Sequence, residues 1–158
     1  MTFERWIDRP GRDVRACVLS RPYEFASPFG GEPFVLLLVV VDPTVTPAER
    51  DVVSDQIVGS GCRYVCATAH ECSEWDDSVD MSDIARDPEF QPQPETFVMT
   101  SWHDGDPLAD VVDFAFDCTN FAGNVFTRYL VAFVGDDPKA WGECQALVRR
   151  RGDQPPTK

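Results

Sequence analysis

One uninterrupted apolar run, FVLLLVVV at residues 34–41, constrains the fold more than any other feature of the chain. A strand with one face in water alternates apolar and polar residues, whereas a strand covered on both faces does not. The run is far shorter than the ~18 apolar residues that a membrane span needs. It therefore predicts a central strand of a parallel sheet that has helices on both faces.

The rest of the chain repeats the order of a strand followed by a helix. Further strands are predicted at 63–69, 96–101 and 128–134, with a short leading strand at 14–19. Helices are predicted at 47–58, 107–119 and 138–151, and a weaker one at 72–86. Thr46-Pro47 with Glu49, and Asp137-Pro138, are typical starts of the first and last of these helices, because each has a capping residue followed by proline.

This alternation predicts a single three-layer α/β domain of the Rossmann- or flavodoxin-like kind. We expect a mostly parallel sheet of four to five strands with helices on both faces. The domain is expected to span residues 1–152. Residues 1–33 would form an irregular lead-in with the possible extra strand, and residues 153–158 a disordered tail.

The formal net charge of −13 is concentrated in one part of the chain. Residues 71–117 hold 14 of the 27 acidic residues and a single base, Arg86, so the remainder of the chain is balanced. Such a surface repels nucleic-acid backbones and attracts basic proteins. We therefore expect a basic protein partner, for example a toxin or a nuclease, and no nucleic acid. The alternative is that the charge only keeps the protein soluble.

The predicted helix at 107–119 separates its apolar and acidic residues onto opposite faces. The apolar face comprises Leu108, Val111, Val112, Ala115 and Thr119, and the acidic face Asp106, Asp110, Asp113 and Asp117. Like charges one turn apart cost ~0.2–0.5 kcal/mol each, so a row without bases suggests a use for its field. Val52, Val53 and Ile57 are predicted to form the buried stripe of the helix at 47–58.

The first functional hypothesis is a non-enzymatic immunity- or antitoxin-like inhibitor that docks its partner through an acidic face within 71–117. Charge would speed association and an aromatic anchor would hold the complex. The candidate partner-binding residues are Asp76, Asp77, Asp80, Asp83, Trp102, Asp106, Asp110, Asp113 and Asp117.

The second hypothesis is a small metal- or His-dependent hydrolase, or a nucleotide-handling enzyme. In parallel α/β sheets ligands bind beyond the carboxyl ends of the strands, where this chain has both of its histidines. The candidate catalytic residues are His70, Cys72, His103 and Asp104, and the candidate metal ligands are Asp42, His70, His103 and Asp136. Asp and His are also ordinary residues at helix caps and loop starts, so this hypothesis depends on whether these groups converge.

Motifs that would identify a cofactor are missing from the sequence. It has no GxGxxG, GxxxxGK[ST] or GxSxG pattern, and its six cysteines match no zinc-site spacing. We expect reduced, buried thiols. No cofactor and no membrane association are predicted, and cytoplasmic localisation is expected because the first residues carry no apolar signal segment. The oligomeric state stays open.

Overall fold

A computed structural model describes residues 1–154 as ten regular elements. The strands are β1 (Glu4–Arg9), β2 (Arg12–Leu19), β3 (Phe34–Val40), β4 (Cys62–Ala69), β5 (Met99–His103) and β6 (Arg128–Val134). The helices are α1 (Pro47–Val58), α2 (Cys72–Ala85), α3 (Leu108–Asp117) and α4 (Pro138–Gly152). The predicted tail, 153–158, lies outside the described residues from position 155 onward.

The six strands form one sheet in the order β1-β2-β6-β3-β4-β5. β1 is antiparallel to β2, and the other neighbouring pairs are parallel. The apolar run is central, as predicted, and every residue of β3 is buried. Leu36 and Leu38 pack in the core beneath α1 and α2, whereas Val35 and Leu37 pack beneath α3 and α4. This single-sheet arrangement is compatible with the predicted three-layer α/β fold.

The predicted helix starts are confirmed. The Thr46 hydroxyl accepts a hydrogen bond from the Glu49 N–H (3.2 Å), and the Glu49 carboxylate accepts one from the Thr46 N–H (2.9 Å). Asp137 accepts a bond from the Ala140 N–H (3.0 Å) at the start of α4. With these caps, α1 and α4 begin only a few residues after β3 and β6 end. The carboxyl edge of the sheet is therefore bordered by helix starts.

The region before Phe34 is more regular than predicted, and the sheet has six strands instead of four or five. β1 was not predicted because its sequence, ERWIDR, is mostly charged and only Trp6 is fully buried. Such a pattern is typical of an edge strand. The longest irregular segment of this region covers residues 20–33. Its aromatic residues cover the α1 side of the sheet and comprise Tyr23, Phe25 and Phe29.

The strand predicted at 96–101 lies at Met99–His103, so its predicted bounds were wrong. Thr96 and Phe97 lie in a turn, where both of their N–H groups bond to the Gln93 carbonyl (3.0 and 2.8 Å). β5 begins at Met99, contains Trp102 and His103, and is the last strand of the sheet. The alternation of β-rich residues indicated a strand but not its register or its edge position.

Smaller differences concern single residues. Val52 is half exposed, and the buried stripe of α1 is Val53, Ser54, Ile57 and Val58. Gly152 ends α4 against β1, where an added Cβ would clash with the Ile7 side chain. Five of the six cysteines are buried and Cys118 is exposed, and all six are free thiols. Within residues 1–154, none of the helices combines the length and the apolar character needed to cross a bilayer.

Candidate functional site

Two depressions lie at the carboxyl edge of the sheet, and they contain three of the four candidate metal ligands. A cleft of about 420 Å³ is lined by the ends of β3 and β4 and the starts of α3 and α4; its polar members include His70, Asp106 and Asp137. A second depression of about 370 Å³ contains Asp42 and Asp136. The structure therefore does not bring Asp42, His70, His103 and Asp136 together in one pocket.

Asp42 is fully engaged in structural contacts. One carboxylate oxygen accepts bonds from the Thr44 N–H (2.8 Å) and hydroxyl (2.6 Å). The other accepts a bond from the Tyr23 hydroxyl and lies 3.6 Å from the Arg21 guanidinium. The hydrogen bonds from Thr44 and Tyr23 lower the pKa of Asp42 to about 2. Burial raises the pKa of Tyr23 to about 12, and its hydrogen bond to Asp42 adds to that effect. These contacts leave Asp42 little capacity to bind a metal.

His70 is exposed at a strained turn that borders the cleft. Its N–H bonds to the Val40 carbonyl (3.0 Å), which joins the ends of β3 and β4. The flanking residues, Ala69 and Glu71, have φ values of 72° and 49°. Backbone conformations of this kind cost free energy in residues other than glycine and are common at functional sites.

His103 is held against α3 and does not line the cleft. Its ring contacts Phe114 edge-on at 4.6 Å, and Nε2 hydrogen-bonds with the Ser101 hydroxyl (2.9 Å). Nδ1 lies 3.6 Å from the Asp106 carboxylate, which links His103 indirectly to the cleft. Burial lowers the pKa of His103, and Asp106 opposes that effect. A neutral imidazole with both nitrogens engaged is poorly placed to act as a base on a ligand.

The remaining rim candidates do not complete a catalytic site. Cys72 is buried, and burial raises the pKa of its thiol, whereas a nucleophilic cysteine needs a lowered pKa. Asp104 is exposed in the bend that follows β5, and Asp136 lies in the other depression. Within the described part of the chain, no group of three His, Cys, Asp or Glu side chains could hold a metal ion.

The acidic face predicted within residues 71–117 is also divided. α2 packs with α1 on one side of the sheet, and α3 packs with α4 on the other. Asp76 and Asp83, predicted to contact a partner, are buried at 5% and 1% exposure. Asp83 accepts a bond from the Val98 N–H (3.0 Å) and pairs with Arg86 (2.5 Å), so it anchors the segment that leads into β5.

The row on α3 is not free of bases, contrary to the prediction. Arg151, near the end of α4, pairs with Asp117 and lies 3.5 Å from Asp113. Sequence reasoning missed this contact because it joins residues from two helices that are far apart in the chain. Asp113 and Asp117 thus tie α3 to α4, which removes them from the candidate partner surface.

Four acids that are exposed or half-buried lie on the two helices next to β5 or directly after it. Thr100 donates its hydroxyl hydrogen to Asp80 (2.7 Å), and Trp102 is 56% exposed. Asp110 lies one helical turn before Phe114, the residue that contacts His103 of β5. We call this set of residues the β5 surface, and it comprises Asp77, Asp80, Thr100, Trp102, Asp104 and Asp110.

Two carboxyls beside Thr100 are in an unfavourable environment. Asp76 Oδ1 is buried and has no hydrogen-bond partner in residues 1–154. Burial is the main cause that raises the pKa values of Asp76 and Asp80, and neighbouring carboxylates add to it. Within residues 1–154, no Lys or Arg pairs with Asp76 or Asp80, whereas Arg21 lies 3.6 Å from the Asp42 carboxylate.

A family model described as a domain of unknown function, DUF7684, matches residues 14–151. The chain belongs to the DUF7684 family. The match extends from β2 to the end of α4, so this DUF7684 domain includes the cleft and the β5 surface, whereas β1 lies outside the matched range. No curated protein and no solved structure matched the chain.

Proposed function

We propose that this DUF7684 protein is a non-enzymatic binding protein, similar in its mode of action to immunity proteins and antitoxins. Its partner is a basic protein, and the β5 surface is the docking site. The exposed indole of Trp102 on an edge strand bordered by carboxylates carries this proposal. Tryptophan is enriched among the residues that dominate binding free energy, and surrounding charge steers association.

Several exposed acids have no ion pair within residues 1–154, both at the β5 surface and elsewhere, where Glu24, Asp55 and Glu143 are examples. Arginines pair with other acids, as Arg21 does with Glu49 (2.7 Å), Arg50 with Glu71 (3.1 Å) and Arg15 with Asp13 (3.1 Å). Within residues 1–154, no Lys or Arg pairs with Asp77, Asp104 or Asp110. A basic partner would supply the missing positive charges.

Charge reversal tests this proposal. The triple variant D77K/D104K/D110K should fold normally, because all three side chains are exposed. We expect it to lose capture of basic proteins from extracts of the native host at low salt, where exposed charges are least screened. Quantitative mass spectrometry of the captured proteins provides the measurement, followed by binding of the purified partner.

The matched control is E24K/D55K/E143K, which changes the net charge by the same amount at exposed positions away from β5. The control should retain capture. Equal loss in both triple variants would show that net charge alone attracts the partner, and unchanged capture by D77K/D104K/D110K would contradict the proposal.

The cleft supports a second candidate, a small hydrolase or nucleotide-handling enzyme. We infer a Rossmann-like arrangement from the order β5-β4-β3-β6, since the chain runs through β3, β4, β5 and then β6. The cleft lies at the carboxyl ends of these strands and contains His70, Asp106 and Asp137. Thermal shift with nucleotides and divalent cations tests this candidate: a stabilising ligand whose effect H70A removes would favour the enzyme over the binding protein.

A further inference from the structure

Within residues 1–154, the outer side of β5 carries unpaired backbone groups. β5 ends the sheet, and the residues of a strand direct their N–H and C=O groups alternately to its two sides. The His103 carbonyl accepts a bond from the Thr68 hydroxyl of β4 (3.2 Å), and the Val98 N–H donates to Asp83 (3.0 Å). Val98, Thr100 and Trp102 therefore direct their backbone groups outward. Asp83 accepts a hydrogen bond from Val98 alone among these three residues.

Acidic side chains lie on both sides of this edge. The bond to Asp80 places the Thr100 side chain on the α2 side of the sheet, and the period of two places Trp102 on the same side. His103 lies on the α3 side, against Phe114. An added strand would therefore have Trp102, Asp104 and the carboxylates of α2 on one side, because Asp104 acts electrostatically on Cys72 at the start of α2, and Asp110 of α3 on the other.

We propose that β5 accepts an extended, basic segment of a partner protein as an additional strand. Backbone hydrogen bonds to Thr100 and Trp102 would supply the pairing, and lysine or arginine side chains would meet the acids on both sides. This inference rests on the proposed function and specifies how the partner binds. It commits to an extended peptide segment, as opposed to a folded surface that uses charge alone.

A second copy of the chain is a poor occupant of this edge. Two β5 strands that paired with each other would bring the carboxylates of both β5 surfaces together, and like charges across an interface oppose association. MTSWH, the sequence of β5, holds no acid or proline and is therefore compatible with a basic strand. Charge complementarity thus favours a basic peptide over self-association.

Synthetic peptides test strand addition separately from charge. The probe is a short peptide that alternates lysine with valine and threonine. Its matched control has the same sequence, with alternate backbone amides N-methylated so that one edge cannot donate hydrogen bonds. We expect the unmodified peptide to bind the full chain, and N-methylation to weaken binding about tenfold or more. Amide exchange at Thr100 and Trp102 should slow only with the unmodified peptide, and W102A should weaken its binding.

The remaining outcomes would overturn strand addition. Equal binding of the two peptides would leave charge-driven docking in place without strand pairing. If neither peptide binds at low salt while D77K/D104K/D110K still loses its protein partner, strand addition fails and the proposed function stands. Sedimentation that reveals a dimer disrupted by W102A would assign the edge to a second copy.

Discussion

The two edge strands of the sheet, β1 and β5, differ in how well their open sides are protected from pairing with another chain. β1 carries four charged residues, has a register shift between Arg5 and Ile7, and is packed against the end of α4, where Gly152 meets Ile7. β5 has no acid, lysine or arginine and no register shift, and it exposes a tryptophan. Charged edge residues and bulges protect a sheet from pairing with other chains, so β1 is a protected edge and β5 is not.

The two edge strands also differ in the burial of their tryptophans. Trp6 of β1 is 5% exposed and contacts Trp141 edge-on at 4.9 Å, so its ring stabilises the fold. Trp102 of β5 is 56% exposed. Burial of an aromatic ring stabilises the folded chain, whereas exposure of one at an open edge adds little to stability and is typical of an interface.

The largest effect is expected from replacing the buried tryptophan. W6A should lower the free energy of unfolding by about 3 to 5 kcal/mol, because it removes a buried aromatic side chain and leaves a cavity between β1 and α4. Urea denaturation measures this loss. A loss below ~1 kcal/mol would mean that β1 is not packed as described.

A smaller loss is expected at the anchor of β5. D83A should destabilise the chain by about 2 to 3 kcal/mol, because Arg86 loses a buried partner and the Val98 N–H loses its acceptor. The matched control is D77A, an exposed acid on the same helix, which should change stability by less than ~0.5 kcal/mol. Equal effects in urea denaturation would show that Asp83 does not hold the strand.

Replacement of Asp76 is expected to stabilise the folded chain, in contrast to the two variants above. Its raised pKa means that the charged carboxylate destabilises the folded state at neutral pH. D76N should therefore stabilise the chain at pH 7 by about 1 kcal/mol, since the amide carries no charge into the buried site. The advantage should shrink as the pH falls through the raised pKa and vanish below the ordinary value of 3.8, where Asp76 is protonated in both states.

Asp42 provides the contrast in the same pH titration. Its pKa is lowered to about 2, so the stability it contributes is present above pH 3.8 and is lost as the pH falls toward 2. D42N should therefore remove part of the acid-induced destabilisation, whereas D76N should not. Thermal denaturation between pH 2 and pH 7 compares the two variants, and identical profiles would contradict the assigned environments.

The smallest change in stability is expected at Trp102. W102A should alter the free energy of unfolding by less than ~0.5 kcal/mol while it weakens partner binding, because the ring is exposed in the free protein. Urea denaturation and a binding titration measure the two effects. A loss of stability comparable to that of W6A would assign Trp102 to the core.

Sequence patterns predicted the parts of the fold that are determined locally. The central strand follows from its unbroken apolar run, and α1 and α4 follow from their capping residues. β1 and the true position of β5 were missed because edge strands need no continuous apolar pattern. Their boundaries depend on which strand lies beside them.

The sequence indicated which residues could form the candidate site, but not which residues of the chain they contact. The acids and Trp102 were identified, yet sequence periodicity could not indicate that Asp83 faces Val98 or that Arg151 reaches α3. It also could not place α2 and α3 on opposite sides of the sheet. Contacts between distant elements decided which acids remain available to a partner.

Site-specific photo-crosslinking in the native host tests most directly whether β5, and not β1, is the binding edge. A photoreactive phenylalanine analogue would replace Trp102 in one variant and Asp8 of β1 in another. We expect adducts with a basic protein from position 102, lost when D77K, D104K and D110K are added, and none from position 8. Adducts of equal yield from both positions, or from position 8 alone, would contradict the account.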